Sequence, residues 1–187
     1  DNGPVLDDGY ADEANEKLGN HKPWGDLRGG KYSLFEAGTR VPLVTYWKGK
    51  IAPNTSDALV SQVDLLASLS ALVDSEVPKT DSKNILDAFL GKTTKGRENL
   101  IIEATTRTAL RQGDCILIPP YKGPAVNKIK NIETGNSKEY QLYNLKEDIG
   151  QKNNLAKANP EKLEEMINTF ESIRGKSYNE TEEPVFR

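Results

Sequence analysis

The sequence predicts an α/β chain in two parts: an α/β portion over residues 1–98 and a small α+β subdomain over residues 99–187. In the subdomain an antiparallel sheet should be packed by a C-terminal helix. Three observations carry this expectation. An apolar run, Val41–Trp47, precedes apolar residues at helical spacing between Val63 and Leu72, as where a strand leads into a core-facing helix. Two strand-like runs, Arg107–Arg111 and Cys115–Ile118, are separated only by Gln112-Gly113-Asp114, a hairpin signal. An amphipathic stretch opens at Asn159-Pro160 and stops at Gly175.

In order along the chain, residues 1–30 read as loop, rich in acidic residues, Asn and Gly and without sustained periodicity. Val41–Trp47, bounded by Pro42 and Gly49, reads as a buried strand. In the next helix Val63, Leu65, Leu66, Leu69 and Leu72 should form the core-facing stripe. Asp64 stands near its start, where a carboxylate suits the free amides, so it reads as a cap and not as a catalytic acid. Asp81–Gly91 reads as a short helix with a glycine stop, and Lys92–Asn99 as a polar linker.

The subdomain opens with a strand, Leu100–Thr105, followed by the hairpin, which Pro119-Pro120 ends. Lys122–Lys138 reads as a solvated loop and Glu139–Leu145 as another strand. In the last helix Asn159 should cap, Pro160 should take the first position, and Leu163, Met166, Ile167, Phe170 and Ile173 should cover the sheet. Tyr178–Arg187 reads as an acidic, frayed tail.

Composition excludes several function classes. The 187 residues allow one ordinary domain, or a domain piece with a small subdomain. A net charge of −3 leaves no nucleic-acid footprint, and no apolar run reaches membrane-spanning length. The single cysteine, Cys115, excludes a disulfide within the chain, and its apolar neighbours describe an inert thiol. Asn54-Thr55-Ser56 and Asn179-Glu180-Thr181 fit the glycosylation sequon, a pattern that often arises by chance.

Chemistry concentrates in two stretches. Leu27-Arg28-Gly29-Gly30-Lys31-Tyr32-Ser33-Leu34-Phe35-Glu36-Ala37-Gly38-Thr39-Arg40-Val41-Pro42 presents one lysine after a glycine pair, the way a chain offers a cationic point to an anion. Asp1-Asn2-Gly3-Pro4 sets two hard oxygen ligands side by side; an Asx turn before Gly-Pro is the other reading of those residues. Arg28 reads either as a further anion contact or as a solvated arginine. His21, the only histidine, reads either as a substrate contact or proton donor or as a surface residue. Trp24 reads as a stacking platform or a loop anchor.

These stretches resemble the formylglycine-dependent sulfatases of the alkaline-phosphatase-like superfamily. That family's order is Asp-Asn-Gly, Gly-Lys, Tyr-Glu-Gly-Gly-x-Arg-x-Pro and Trp-Pro-Gly, matched here by Asp1-Asn2-Gly3, Gly30-Lys31, Phe35–Pro42 and Trp47-Lys48-Gly49. A closing signature, Glu-Leu-Tyr-Asn-Leu-x-x-Asp-Pro-x-Glu-x-x-Asn-Leu, is matched by Tyr140–Asp148 and Asn153-Asn154-Leu155. Ala37, Lys48, Ile149 and Gln151 depart from the pattern at positions that are not chemical. No Cys/Ser-x-Pro/Ala-x-Arg occurs, so the chain resembles the C-terminal part of such an enzyme, with residues 1–98 a remnant of the catalytic domain. The resemblance implies a missing N-terminal half as its partner, carrying formylglycine and further ligands for Ca2+.

Under that resemblance Lys31 contacts a sulfate oxygen, Asp1 and Asn2 ligate Ca2+, Arg28 and His21 are candidates to touch substrate, and Glu36 with Arg40 fixes the loop. The implied activity is hydrolysis of a sulfated small molecule or sulfated carbohydrate, in a periplasmic or secreted protein; the chain by itself should be inactive. Two other classes stay open: a phosphoesterase or phosphonate hydrolase of the same superfamily, and a non-catalytic scaffold or binding domain.

Overall fold

The computed structural model describes residues 2–178. Asp1, most of the expected acidic tail and the second sequon's Asn179 therefore lie outside the described residues. The described chain forms two compact units, residues 2–41 with 101–178, and Pro42–Leu100. Residues 2–41 thus group with the C-terminal sheet and not with Pro42–Leu100.

In the first unit, a four-stranded sheet runs in the order β1 (Asn99–Ala104), β2 (Arg107–Gln112), β3 (Cys115–Ile118), β6 (Gln141–Asn144). β2, β3 and β6 pair antiparallel, with Leu110 opposite Leu117 opposite Leu142, and Arg111 opposite Ile116 opposite Tyr143. Because side chains alternate between faces, these two rows point to opposite sides. The leucine row meets Met166 and Phe170 of helix α4 (Pro160–Arg174), and together with Ala156 they form the core. The row of Arg111 and Tyr143 meets the Gly-Lys stretch: Arg111 Nη1 lies 3.1 Å from Glu36 Oε2, and the Phe35 and Tyr143 rings stand edge to face at 6.1 Å. One small sheet therefore supports a helix on one side and the candidate site on the other.

Beyond β6, the end of the closing signature, Asn153-Asn154-Leu155, extends the sheet without forming a strand. Asn154 Oδ1 accepts from the Leu142 amide at 3.0 Å, its Nδ2 donates to the Tyr140 carbonyl at 3.1 Å, and the Leu155 amide donates to the Leu142 carbonyl at 2.8 Å. An asparagine side chain thus serves where a neighbouring backbone would.

Four expectations change in this unit. Lys122–Lys138 is not simply a solvated loop: β4 (Val126–Asn127) and β5 (Ile132–Glu133) pair within it, turning through Asn131 at φ 51°, and Ile132 and Thr134 are buried. Among the described residues of the first 30, one helical turn forms, α1 (Ala14–Lys17). Asn159 makes no side-chain cap; its carbonyl accepts from the Leu163 amide at 3.0 Å, and Pro160 at the first position leaves one fewer amide to satisfy. Ile173 is exposed, because the buried stripe ends with Phe170. Gly175 ends the helix at φ 72°, as its position predicts.

The second unit departs further. Leu43, Val44, Tyr46 and Trp47 are exposed, and no strand forms over Val41–Trp47, since no described segment supplies the ladder a strand requires. In α2 (Leu65–Leu72) the buried residues are Ala67 and Ser68, while Val63, Leu65, Leu66, Leu69 and Leu72 face outward. Polar contacts explain the inversion. Ser68 Oγ accepts from the Ile85 amide at 3.0 Å, and Ser82 Oγ accepts from the Ala67 amide at 2.8 Å, tying α2 to the segment that leads into α3 (Leu86–Phe89).

Asp64, fully buried, is the hub of this unit. It completes a capping box with Ser61 on the turn Gln62–Asp64 that leads into α2, but its side chain makes no cap bond to α2 itself, where the sequence places it as the cap. Arg97 also donates to both its oxygens, Nε to Oδ2 at 2.7 Å and Nη2 to Oδ1 at 2.5 Å, and the Lys83 amide adds a bond of 2.9 Å. Lys92–Asn99 is thus more than a polar linker, since it carries the cation that makes burial of Asp64 tolerable.

Phe170→Ala should destabilise the first unit by about 3–5 kcal/mol, read from chemical denaturation followed by far-UV circular dichroism; an unchanged midpoint would remove Phe170 from the core. Asp64→Ala leaves Arg97 buried without its anion and should cost the second unit about 3–5 kcal/mol. Native-state hydrogen exchange at α2 and α3 measures that loss without interference from the first unit.

Candidate functional site

The site is built where residues 2–4 run beside the Gly-Lys turn. The Gly3 amide donates to the Gly38 carbonyl at 2.8 Å, and the Lys31 amide donates to the Pro4 carbonyl at 2.9 Å. Two glycines permit this approach. A Cβ on Gly3 would lie 1.5 Å from the Ala37 carbonyl oxygen, and one on Gly30 would lie 2.8 Å from the Pro4 carbonyl oxygen. The chain therefore brings Asn2 and Lys31, separate in sequence, onto adjoining backbone.

Lys31 and Tyr32 form a turn closed by the Ser33 amide donating to the Gly30 carbonyl at 2.9 Å, with Tyr32 at φ 75°. Lys31 is half-buried, and its Nζ lies 5.4 Å from the centre of the Tyr32 ring. No carboxylate among the described residues forms an ion pair with it, so its charge is available to an anion.

Glu36 fixes the far end of the turn, the role expected of it. Its buried carboxylate accepts from Arg40 at 3.2 Å and, unforeseen, from Arg111 of β2 at 3.1 Å. Its amide donates to Gln151 Oε1 at 2.7 Å. Gln151, fully buried at φ 49°, also accepts at its carbonyl from Arg28 Nη1 at 2.6 Å, so the closing signature is bonded into the site.

Arg28, read as an anion contact or a solvated arginine, is bonded within the protein. Its Nε and Nη2 engage both oxygens of Glu133 at 2.8 and 2.6 Å, and its Cζ stands 4.0 Å from the centre of the Phe35 ring. The hydrogen bond from Arg28 holds the Glu133 carboxyl below its ordinary value, against the opposing effect of burial, and the same bond raises Arg28. Trp24 lines a cleft of about 560 Å³ beside this pair. His21 is exposed, and its imidazole makes no hydrogen bond or ion pair with another described residue. Desolvation raises the Cys115 thiol on β3 above its ordinary value, and the side chain is half-buried.

Asp1 lies outside the described residues, and Asn2 is exposed. Among the described residues no group of three or more His, Cys, Asp or Glu side chains gathers to hold a metal ion. The described residues alone do not make up the Ca2+ site that the resemblance implies. Glu133, Gln151, Arg107 and Arg111 belong to no local pattern that announces a site; the alternation of Arg107, Ala109 and Arg111 along β2 was the available signal, since it marks one face of the strand.

Because Glu133 is depressed in the folded state, its pairing stabilises the protein above its ordinary value of 4.5 and ceases to do so as pH falls through the lowered value. The melting temperature of the parent protein should exceed that of Glu133→Gln above pH 4.5, and the gap should close on further acidification. With Glu133 partly exposed the gap corresponds to about 1 kcal/mol or less; a gap that persists at pH 2 would exclude charge pairing as its source.

Comparison with known proteins places these features. A family model described as Sulfatase matches residues 1–75. An N-acetylgalactosamine-6-O-sulfatase of Bacteroides thetaiotaomicron is 43% identical over 93% of this chain and 35% of its own length. Arylsulfatase A of Bos taurus is 37% identical over 41% of this chain and 15% of its own length. A solved structure concerned with glycosaminoglycan metabolism by Bacteroides thetaiotaomicron matches with a TM-score of 0.90 and 41% identity, over 94% of this chain and 37% of that one. The chain thus spans about a third of the length of the first of these relatives. Similarity of this extent in sequence and backbone makes the chain a member of the sulfatase family, with the alkaline-phosphatase-like fold.

Proposed function

We propose that this chain is the C-terminal part of a sulfatase that hydrolyses a sulfate ester of a carbohydrate, and that Lys31 contacts the sulfate. The observation that carries the reading is the docking of residues 2–4 against the Gly30-Lys31 turn, which sets the Lys31 backbone beside Pro4, while no carboxylate among the described residues pairs with the Lys31 ammonium. In this reading the ammonium donates to a sulfate oxygen and offsets the charge that builds there as the bond from sulfur to the leaving oxygen breaks. In a site from which water is largely excluded, a fixed cation stabilises that charge more than it would in bulk water.

The nucleophile and a bound Ca2+ would be supplied with the rest of the protein, formylglycine among them; Asp1 and Asn2 would contribute oxygen ligands to the metal. The apolar residues exposed over α2 and along Leu43–Trp47 support this reading, as a surface that the rest of the catalytic domain would cover. Identity of 43% to an enzyme named for a 6-O-sulfated amino sugar supports a sulfated amino sugar as substrate here. Location outside the cytoplasm, periplasmic or secreted, is proposed on the family resemblance.

In the full-length protein, Lys31→Ala should lower kcat/KM on a sulfated N-acetylgalactosamine by about 10²–10³ while the melting temperature holds. Lys31→Arg should recover part of the loss, since a planar guanidinium does not replace a compact charge. A Lys31→Ala enzyme within about threefold of the parent would make Lys31 a surface residue and end this reading.

A further inference from the structure

We infer that Arg107 is a positioning residue for Lys31, an inference that rests on the reading of Lys31 as a sulfate contact. Arg107 opens β2, and its guanidinium is buried. Nη2 donates to the Tyr32 carbonyl at 2.8 Å, one residue beyond Lys31. Nη1 donates to the Thr134 carbonyl at 3.0 Å and to Asn136 Oδ1 at 2.5 Å. The Thr134 carbonyl also accepts from the Leu34 amide at 3.0 Å. One planar cation therefore joins the sheet, the segment after β5 and both ends of the Tyr32–Leu34 stretch.

The turn needs such a hold. Tyr32 has a positive φ, a conformation that is costly for a bulky side chain and that persists only where the surroundings enforce it. On one side the Lys31 amide is held by the Pro4 carbonyl, and on the other the Tyr32 carbonyl is held by Arg107. Lysine has a long, flexible side chain, so the direction of its ammonium depends on a fixed backbone at its root. Arg107 supplies that root from the sheet, through its bonds to the Tyr32 and Thr134 carbonyls and to Asn136.

A double-mutant cycle in the full-length protein separates positioning from a general structural role. Arg107→Gln should lower kcat/KM by about 10- to 100-fold, the scale of a misplacement near 1 Å. In the Lys31→Ala background the same change should cost less than about threefold, because the group it positions is already gone. The inhibition constant of inorganic sulfate should rise with Arg107→Gln and change little when Lys31 is Ala. If Arg107→Gln does not fold, Arg107→Lys, which keeps the charge but loses the fork, enters the same cycle. Losses that multiply with those of Lys31→Ala would overturn the inference while leaving the sulfatase reading intact. So would an Arg107→Gln enzyme within about threefold of the parent. A neutral Lys31→Ala would overturn both, and is recognised by that single mutant alone.

Discussion

The first unit depends on one buried carboxylate. Glu36 is 3% exposed, and an anion so far from water is tolerated only when cations and hydrogen bonds compensate it. Arg40 reaches it from four residues along the chain and Arg111 from the middle of the sheet. The second pairing is the consequential one, since it spans 75 residues of sequence and fastens the Gly-Lys stretch to β2. The local pair alone would be a feature of one turn; with Arg111 the turn acquires a fixed place against a rigid element. Gln151 accepting from the Glu36 amide brings the closing signature to the same point.

This arrangement gives the small sheet a purpose beyond its own core. Its leucine face is covered by α4, which accounts for its stability, while its other face carries Arg107, Arg111 and Tyr143 against the candidate site. A site on a loop is precise only when packing and hydrogen bonds limit the loop. Here the turn bearing Lys31 is bonded on one side to Pro4 and on the other to Arg107. Arg28 belongs to the same scaffold, since it pairs with Glu133, stacks on Phe35 and donates from Nη1 to the Gln151 carbonyl.

The second unit obeys the opposite logic. Its interior is held largely by polar groups, Asp64 with Arg97 and Ser68 with the backbone before α3, while the apolar side chains of α2 and of Leu43–Trp47 look outward. Amphipathic periodicity reports that a helix has two faces and that one belongs in a core. It does not report which segment supplies that core. For α2 the described residues offer polar partners on the Ala67–Ser68 side, and that side is buried.

By itself the sequence determined whatever depends on neighbours a few residues apart. The β2–β3 hairpin, the span of α4 and its stop at Gly175, and the pairing of Glu36 with Arg40 all follow from local spacing and turn chemistry. The motif order likewise pointed to the sulfatase family. Tertiary structure alone decided which face of α2 is buried, that Val41–Trp47 forms no strand, and that β4 and β5 pair inside a lysine-rich loop. It alone joined Arg28 to Glu133, Arg111 to Glu36 and Arg107 to Tyr32. The reason is physical: an arginine carries the same local signal whether solvated or buried, and its role is set by the acceptors that distant segments bring to it.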